Sequence, residues 1–203
     1  MDSHGGLRRC FGDGDPVMER YHDEEWGVPT HIDAEHYELL VLEGAQAGLS
    51  WRTVLHRREA YREAFSGFDA GKVAGYTPEA IDDVIANTGI IRNRRKVESA
   101  VNNARAFLRV QDEFGSFDEY VWGFVGHQPV TNAHADWSQV PPETEASRAM
   151  SRDLKRRGFS FVGPTICYAY MQSAGMVNDH LTGCFRWSQI RERYGVEGIP
   201  ATR

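Results

Sequence analysis

Apolar residues recur at helical spacing along most of the chain. Over residues 33–48, Leu39 and Leu42 share one face of a predicted helix, since residues three and four apart lie on the same side of an α-helix. Ser50 is suited to cap the helix that follows. We predict that this second helix runs as one element to about residue 67.

A helical hairpin with a very short connection is predicted next. Thr77 is a natural N-cap, and Pro78 occupies the first helical position, where its missing N–H costs nothing. The apolar residues that follow keep helical spacing until Gly89, and a second apolar face begins at Val97. The basic segment between the two helices is therefore a tight turn.

The rest of the chain adds helices and no convincing pair of strands. Ser116 opens a capping-box pattern, residues 126–142 form a polar loop, and one helix ends at Gly158. Another helix is predicted over residues 164–175, and the segment after Trp187 is expected to be a frayed tail. The pattern predicts an all-α fold.

Composition narrows the class of protein. With 203 residues, 41% of them hydrophobic and 26% charged, the chain has an ordinary globular composition for one large domain or two small lobes. It has no long apolar run and no signal-like beginning, so we expect no membrane association and a cytoplasmic location. The net charge of −6 weighs against nucleic-acid binding, although a local basic patch is what contacts phosphate.

Four residues near the two ends of the chain are of types that hold zinc. Cys10 and His22 lie near the N-terminus, and His180 and Cys184 lie near the C-terminus. Such a set closes a tetrahedral site with no open position, as in structural zinc centres. Spacing alone also fits surface or hydrogen-bonded histidines. The third cysteine, Cys167, has the apolar surroundings of a buried small residue.

The turn at Gly89 has features of a phosphate-binding hairpin. Glycine permits a close backbone approach, and the following helix begins with free amides and a positive dipole. Arg92, Arg94, Arg95 and Lys96 add positive charge. The alternative interpretation is a solvated basic turn that binds nothing.

Glu43 lies on the apolar face that Leu39 and Leu42 define. Burial of a carboxylate is costly unless it is paired, so Glu43 either meets an arginine or faces a pocket. Trp51 follows this helix, and Tyr21 and Trp26 flank His22. Aromatic faces beside a carboxylate suit a flat, electron-poor ring, whereas core packing is the alternative role for each aromatic residue.

Seven blocks together make the sequence resemble the DNA-3-methyladenine glycosylase I family. They occur in the family's order from about Arg9 to Cys184. The blocks are Arg9-Cys10, Asp15-Pro16, YHDEEWG (21–27), LEGAQAGLSW (42–51), GIIRNR (89–94), RGFSFVGPTICY (157–168) and VNDH (177–180).

The resemblance implies a helix-hairpin-helix DNA glycosylase fold in one domain over residues 1–203. The hairpin lobe would span about 70–130, a zinc-containing lobe would combine 8–66 with 131–187, and 188–203 would be a flexible tail. The structural Zn²⁺ would join the terminal segments through Cys10, His22, His180 and Cys184.

The resemblance also implies a monofunctional glycosylase that flips 3-methyladenine out of double-stranded alkylated DNA and hydrolyses its glycosidic bond. Glu43 and Tyr21 would be catalytic residues that meet the base, and Trp26 and Trp51 would form aromatic walls around it. The DNA backbone would be held by Gly89, Ile91, Arg92, Asn93 and Arg94. A monomer with no obligate protein partner is expected.

Two positions depart from the family pattern. The family usually has a tryptophan two residues after the first zinc cysteine, and here Cys10 is followed by Phe11 and Gly12. The usual tyrosine of the Asp-Pro segment is replaced by Met18. A changed pocket width and damaged-base preference would follow.

Two other classes of function stay open on the sequence. A non-catalytic or altered-specificity helix-hairpin-helix DNA-binding protein would keep the zinc and the basic turn without needing Glu43. A zinc-stabilised helical interaction module would show negligible, salt-insensitive affinity for DNA, since phosphate contacts make binding salt-dependent.

Overall fold

The computed structural model describes residues 8–195, and within that range the chain is mostly helical. The α-helices are α1 (Pro16–Glu24), α2 (Asp33–Gln46), α3 (Trp51–Leu55), α4 (Arg58–Ala64), α5 (Ala70–Ala74), α6 (Pro78–Ala86), α7 (Arg94–Phe114), α8 (Phe117–Trp122), α9 (Glu145–Arg156), α10 (Pro164–Ser173) and α11 (Phe185–Tyr194). Short 3₁₀ turns lie at Ser66–Phe68, Gly123–Val125 and Trp137–Gln139. No helix in this range is long and apolar enough to cross a membrane. The predicted all-α class is confirmed.

One short pair of strands escaped the sequence analysis. β1 (Val130–Thr131) pairs in parallel with β2 (Val177–Asn178), with Val130 opposite Val177. Two residues are too few to show the alternation by which a strand is recognised. The pairing ties the loop over residues 126–142 to the segment just before His180.

The predicted single helix after Ser50 is divided in the structure. The Oγ of Ser50 caps α3 as predicted, because it accepts a hydrogen bond from the backbone N–H of Thr53 at 3.2 Å. α3 then ends at Leu55 and α4 begins at Arg58. At the break, His56 Nε2 contacts the carboxylate of Asp15, the residue before α1, at 2.8 Å. The spacing of apolar residues could not predict this polar contact.

The predicted frayed segment after Trp187 is also different. Residues 188–194 continue α11, and the helix is anchored by Ile190, which is 2% exposed. A single apolar anchor among charged residues gives little periodicity, so the helix was missed. The remainder of the predicted tail, 196–203, lies outside the described residues.

α2 is the central helix of the fold. Every residue from His36 to Ala45 is buried, and α2 packs against α3, α7, α8 and α10. The hydroxyl of Tyr37 donates to the carbonyl of Ala100 on α7 at 3.0 Å. A helix enclosed on several sides holds its side chains in fixed positions, and Glu43 is one of them.

The buried apolar residues form two clusters. The large one runs through the middle of the chain and includes Leu42 of α2 and Met171 of α10. The small one, around α1, consists of Met18, Tyr21, Trp26 and Leu55. A cavity opens where the small cluster faces α2 and α10.

Candidate functional site

The cavity between α1, α2 and α10 is about 330 Å³ in volume. Most of its surface is apolar or aromatic, with few polar side chains, as is typical of small-molecule sites. Its lining consists of Phe11, Met18, Tyr21, Trp26, Glu43, Gln46, Trp51, Trp137, Ala169, Gln172 and Ser173. The four base-contacting residues predicted from the sequence therefore meet in one place.

Glu43 supplies the carboxylate of this cavity. The residue is 2% exposed, and burial raises the pKa of its carboxyl from an ordinary 4.5 to about 7. Oε1 accepts a hydrogen bond from Ser173 Oγ at 2.7 Å. Oε2 is buried and finds no hydrogen-bond partner within residues 8–195. No arginine pairs with Glu43 in that range, so the pocket interpretation prevails over the ion-pair alternative.

Tyr21 is linked to Glu43 through Ser173. The Tyr21 hydroxyl donates to Ser173 Oγ at 2.9 Å, and Ser173 Oγ donates to Glu43 Oε1. Burial and the nearby Glu43 raise the pKa of Tyr21 well above its ordinary value, which keeps the phenol neutral. Its hydrogen is directed to Ser173, while the phenol oxygen can still accept a hydrogen bond from a ligand.

Aromatic rings enclose the carboxylate. The rings of Tyr21 and Trp51 lie 5.3 Å apart between centroids, and Phe11 contacts Trp26 edge-on at 5.1 Å. The indole Nε1 of Trp51 is buried without a partner among the described residues. Buried polar groups are almost always hydrogen-bonded, so this donor and Glu43 Oε2 stand out as two unpartnered polar atoms on residues that line one cavity.

Trp137 was missed by the sequence analysis, which assigned its segment to a surface loop. It lies in a 3₁₀ turn, is 41% exposed, and lines the cavity 6.1 Å from Trp26 between ring centroids. Its indole N–H donates to the carbonyl of Cys10 at 3.1 Å. The one signal in the sequence that could have indicated its role was a large aromatic residue within an otherwise polar loop.

Both departures from the family pattern lie on the cavity wall. Phe11 and Met18 line it directly, and Phe11 lies 6.3 Å from Trp137 between ring centroids. Trp137 therefore adds an indole beside the segment in which the family's usual tryptophan is absent. Met18 is 9% exposed and supplies a flexible apolar surface.

Cys10, His22, His180 and Cys184 meet in a second polar cluster, named here the Cys/His cluster. Their donor atoms all lie within 4.8 Å of one another. Sulfur-to-nitrogen distances run from 3.1 Å for Cys10–His22 to 3.5 Å for Cys184–His180. Ligand bonds of ordinary length in a tetrahedral zinc site place sulfur and nitrogen about 3.5 Å apart. The cluster can hold a metal ion.

In each histidine of the cluster, the ring nitrogen that points away from the cluster has a hydrogen-bond partner. His22 points Nε2 into the cluster while its Nδ1 contacts Asp23 Oδ1 at 2.8 Å. His180 points Nδ1 inward while its Nε2 contacts the carbonyl of Trp26 at 2.9 Å. Such partners fix ring orientation at metal sites. Asp23 was missed because a carboxylate next to a histidine is common in sequences.

The basic turn lies between α6 and α7 as predicted. Gly89 packs so closely that an added Cβ would lie 2.7 Å from the Cβ of Ala60, which excludes larger residues. The backbone N–H of Ile91 donates to the hydroxyl of Tyr61 at 3.3 Å. Asn93 caps α7 through its side chain. The turn is therefore fixed to α4, with Arg92 exposed beside it.

Not every basic residue of this turn is free to meet phosphate. Arg94 pairs with Asp82 and lies 3.5 Å from Glu98. Lys96 donates to the carbonyls of Ala45 and Ala47 at 2.8 and 2.7 Å, so it binds the end of α2 rather than extending from the turn. The prediction that Lys96 adds its charge to a phosphate site is therefore wrong.

The turn after α2 presents an apolar side chain at the cavity rim. Gly48 adopts a positive φ of 79°, and Leu49 beside it is 41% exposed. A recess of about 210 Å³ connects Leu49 to the cavity through shared residues Glu43 and Gln46. An exposed leucine next to a ligand cavity was not expected from the sequence.

The chain is similar in sequence to known methyladenine glycosylases. The family model described as methyladenine glycosylase matches residues 11–187. The DNA-3-methyladenine glycosylase 1 of Escherichia coli (strain K12) is 48% identical over 179 residues, covering 88% of this chain and 96% of that protein. Residues 11–187 include every residue that lines the cavity and three of the four residues of the Cys/His cluster, namely His22, His180 and Cys184.

Solved structures extend the likeness to the fold. A crystal structure of a 3-methyladenine DNA glycosylase I matches with a TM-score of 0.85 at 47% identity, covering 88% of this chain and 98% of that one. The Staphylococcus aureus glycosylase I, studied for its recognition of 3-methyladenine, matches with a TM-score of 0.85 at 36% identity, covering 89% and 97%.

Proposed function

The chain belongs to the methyladenine glycosylase family, and from this membership we infer that it is a monofunctional DNA glycosylase of base-excision repair. Its reaction is the hydrolytic release of 3-methyladenine from alkylated DNA, the activity for which its relatives are named. The observation that carries the proposal to this chain is the buried carboxylate of Glu43, which lines an aromatic cavity and whose Oε2 has no hydrogen-bond partner within residues 8–195.

The reaction mainly requires the protein to bind the leaving base, because that base is already a good leaving group. Methylation at N3 makes the adenine cationic, so the electrons of the broken C1′–N9 bond neutralise the ring as it departs. A negative carboxylate held in a water-poor cavity attracts the cationic base over normal adenine. We assign this electrostatic role to Glu43, with Oε2 accepting from the base's N–H groups.

The walls of the cavity fit the flat ring. Trp51 and Trp26 supply faces for stacking, Trp137 adds a third indole, and the Tyr21 oxygen accepts from the base. Base–aromatic stacking contributes roughly 1–3 kcal/mol per base. Phe11 and Met18 make this wall different from the usual family pattern, so the relative rates for other alkylated bases are the property most open to change.

A base inside the duplex has to leave the stack before this cavity can receive it. Leu49 is suited to enter the gap, because exposed apolar side chains act as wedges between base steps. The DNA backbone would be held at Gly89, Ile91, Arg92, Asn93 and Arg94, in the turn that leads into the N-terminal end of α7. Arg92 is exposed and forms no ion pair within residues 8–195, unlike Arg94, so it is suited to contact phosphate.

We assign Zn²⁺ to the Cys/His cluster. Two thiolates and two imidazoles match the preference of this ion, and four protein ligands leave no position for a reacting water. The ion, when bound, would supply folding energy and no chemistry. Its ligands would join the chain near α1 to the segment before α11, and Cys10 and His22 lie beside the cavity-lining residues Phe11 and Tyr21.

Three further assignments rest on this function. We propose the lobe division given above, with 70–130 carrying the hairpin and 8–66 together with 131–187 carrying the Cys/His cluster. The protein would act as a monomer, since one chain contains the whole site. We also propose a cytoplasmic location, where the protein would meet a DNA substrate.

The decisive experiment is base release from methylated duplex DNA, with every free base identified by chromatography coupled to mass spectrometry. Wild type should release 3-methyladenine, and Glu43→Gln should lose on the order of 100-fold in single-turnover rate, the effect of removing one charge-stabilising group. Glu35→Gln, an exposed change on the same helix, is the matched control and should keep full activity.

Other outcomes identify the alternatives. Salt-sensitive DNA binding by folded protein without release of any alkylated base would favour the non-catalytic DNA-binding class. Full activity in Glu43→Gln would remove the electrostatic role from Glu43.

A further inference from the structure

Ser173 occupies a junction that no part of the mechanism above uses. It is the last residue of α10, is 8% exposed, and lies between two groups from other helices. Its Oγ accepts from the Tyr21 hydroxyl and donates to Glu43 Oε1. A serine hydroxyl has one hydrogen to donate, and here that hydrogen is directed at the carboxylate.

The direction of these bonds determines which carboxylate oxygen serves the ligand. Ser173 engages Oε1 at 2.7 Å, whereas Oε2 of this cavity-lining residue is buried and has no hydrogen-bond partner within residues 8–195. A carboxylate with no fixed donor can exchange its two oxygens by rotating about its last torsion, which has broad, two-fold preferences. A donor at one oxygen holds the other toward the base.

The same hydroxyl also favours the charged form of Glu43. A hydrogen bond donated to a carboxylate lowers its pKa and opposes the effect of burial. Without that bond the carboxyl would be protonated over more of the neutral range. The attraction for a cationic base would then weaken, because only the ionised form carries charge.

Few other charged groups face this position. Tyr21 from α1 is the other titratable residue on the lining of the Glu43 cavity, and it remains neutral. Tyr21 and Ser173 also line a second, polar cavity of about 470 Å³. Glu25 and Arg58 lie on that cavity, and their charges act on Tyr21. α3 contributes Trp51, which carries no charge.

We propose that Ser173 is a positioning residue that turns Glu43 Oε2 toward the damaged base and holds the carboxylate in its charged form, with Tyr21 orienting Ser173. The proposal rests on the function inferred for Glu43. Tyr21 then acts partly through Ser173, in addition to its own contact with the base.

The test is the pH profile of single-turnover excision in Ser173→Ala. Loss of the hydroxyl should move the acid limb of the profile upward by roughly one pH unit, because the pKa of Glu43 rises without its donor. At pH 7 the rate should fall roughly fivefold, and at pH 9 it should approach the wild-type rate. Ser151→Ala is the matched control, since Ser151 is also buried but donates to the carbonyl of Val162 instead.

A second readout does not depend on catalysis. The side-chain carboxyl resonance of Glu43, assigned by its loss in Glu43→Gln, should titrate at higher pH in Ser173→Ala than in wild type. Ser173→Thr retains a hydroxyl, so the Glu43 resonance should titrate close to its wild-type pH in that variant. Tyr21→Phe should add less to Ser173→Ala than it costs alone, because the two residues act in one chain of hydrogen bonds.

Outcomes separate this proposal from the function on which it rests. An unchanged Glu43 titration in folded Ser173→Ala would overturn the role of Ser173, whatever the activity. A loss of rate that is equal at every pH would do the same, since it would indicate packing only. Absence of base release by wild type, with the predicted shift of the Glu43 resonance, would overturn the proposed function and leave the Ser173–Glu43 coupling standing.

Discussion

The Cys/His cluster and the Glu43 cavity are two buried polar sites that lie side by side, and they differ in how their polar atoms are satisfied. In the cluster, every ring nitrogen faces either the ligand set or a partner such as Asp23. On the cavity lining, Glu43 Oε2 and Trp51 Nε1 are buried and have no hydrogen-bond partner in the described part of the chain.

The difference separates structure from function. A polar set that is closed on itself stabilises one arrangement of the chain, because nothing remains to bind. An open buried donor or acceptor costs roughly 1–3 kcal/mol and persists where a ligand will satisfy it. His22 and Tyr21 are neighbours on α1, yet one belongs to each kind of site.

The largest effect is expected from breaking the closed site. Cys184→Ser should lose the bound metal and lower the free energy of unfolding by about 4 kcal/mol or more, because loss of a metal is among the few single changes with so large an effect. Metal content by mass spectrometry and thermal unfolding measure both. Cys167→Ser, a buried cysteine outside the cluster, should retain its metal. Equal metal content in both variants would contradict a role for the cluster.

The open site should give an effect of opposite sign. Burial raises the pKa of Glu43 from 4.5 to about 7, so the folded state binds more protons than the unfolded state between these values and loses stability as pH rises. Glu43→Gln should therefore be more stable than wild type at pH 8 by up to roughly 3 kcal/mol. The gain should vanish near pH 4, in denaturation followed by circular dichroism. A pH-independent difference would mean that the carboxylate is not strained by burial.

Asp23 tests how far the closed site depends on its surroundings. Asp23→Asn removes the carboxylate behind His22 and should weaken metal affinity by roughly 10–100-fold without removing a ligand. Competition with a chelator gives the affinity. Asp13→Asn is the control, because Asp13 contacts the same Arg9 but no histidine. Similar affinities in the two variants would exclude Asp23 from the metal site.

Trp137 should give the smallest effect and lies where the two sites meet. Trp137→Leu removes a cavity wall and the bond to the Cys10 carbonyl. We expect a loss of roughly 1–2 kcal/mol in binding the base, as for one stacking partner, with little change in the rate of the bound complex. Trp187→Leu, whose indole also donates to a carbonyl, does not touch the cavity and is the control. Equal KM values in both variants would remove Trp137 from the site.

Much of this protein could be predicted from the sequence because its signals are local. The helical periodicity of α2 and α6, the cap at Ser50 and the tight turn at Gly89 each depend on residues a few positions apart. The resemblance to the family added the combination of Glu43, Tyr21, Trp26 and Trp51, which the structure brings together in one cavity. Roles at these positions remain predictions for experiment.

The residues that escaped prediction act over long separations. Ser173 reaches Glu43 across 130 positions, and Trp137 reaches Cys10 across 127. Lys96 was misassigned because its partners, the carbonyls at the end of α2, are backbone atoms that no sequence pattern marks. The short strand pair and α11 were missed for lack of periodicity.

The sequence by itself determined the helices, the tight basic turn, and the residue types able to bind a metal and a flat cationic ring. Periodicity and side-chain chemistry are properties of short segments, so they are legible along the chain. The tertiary structure decided which polar atoms are satisfied and which stay open, since satisfaction depends on the atoms packed around each group. It was this packing that enclosed Glu43, left its Oε2 open, and placed Ser173 on the other oxygen.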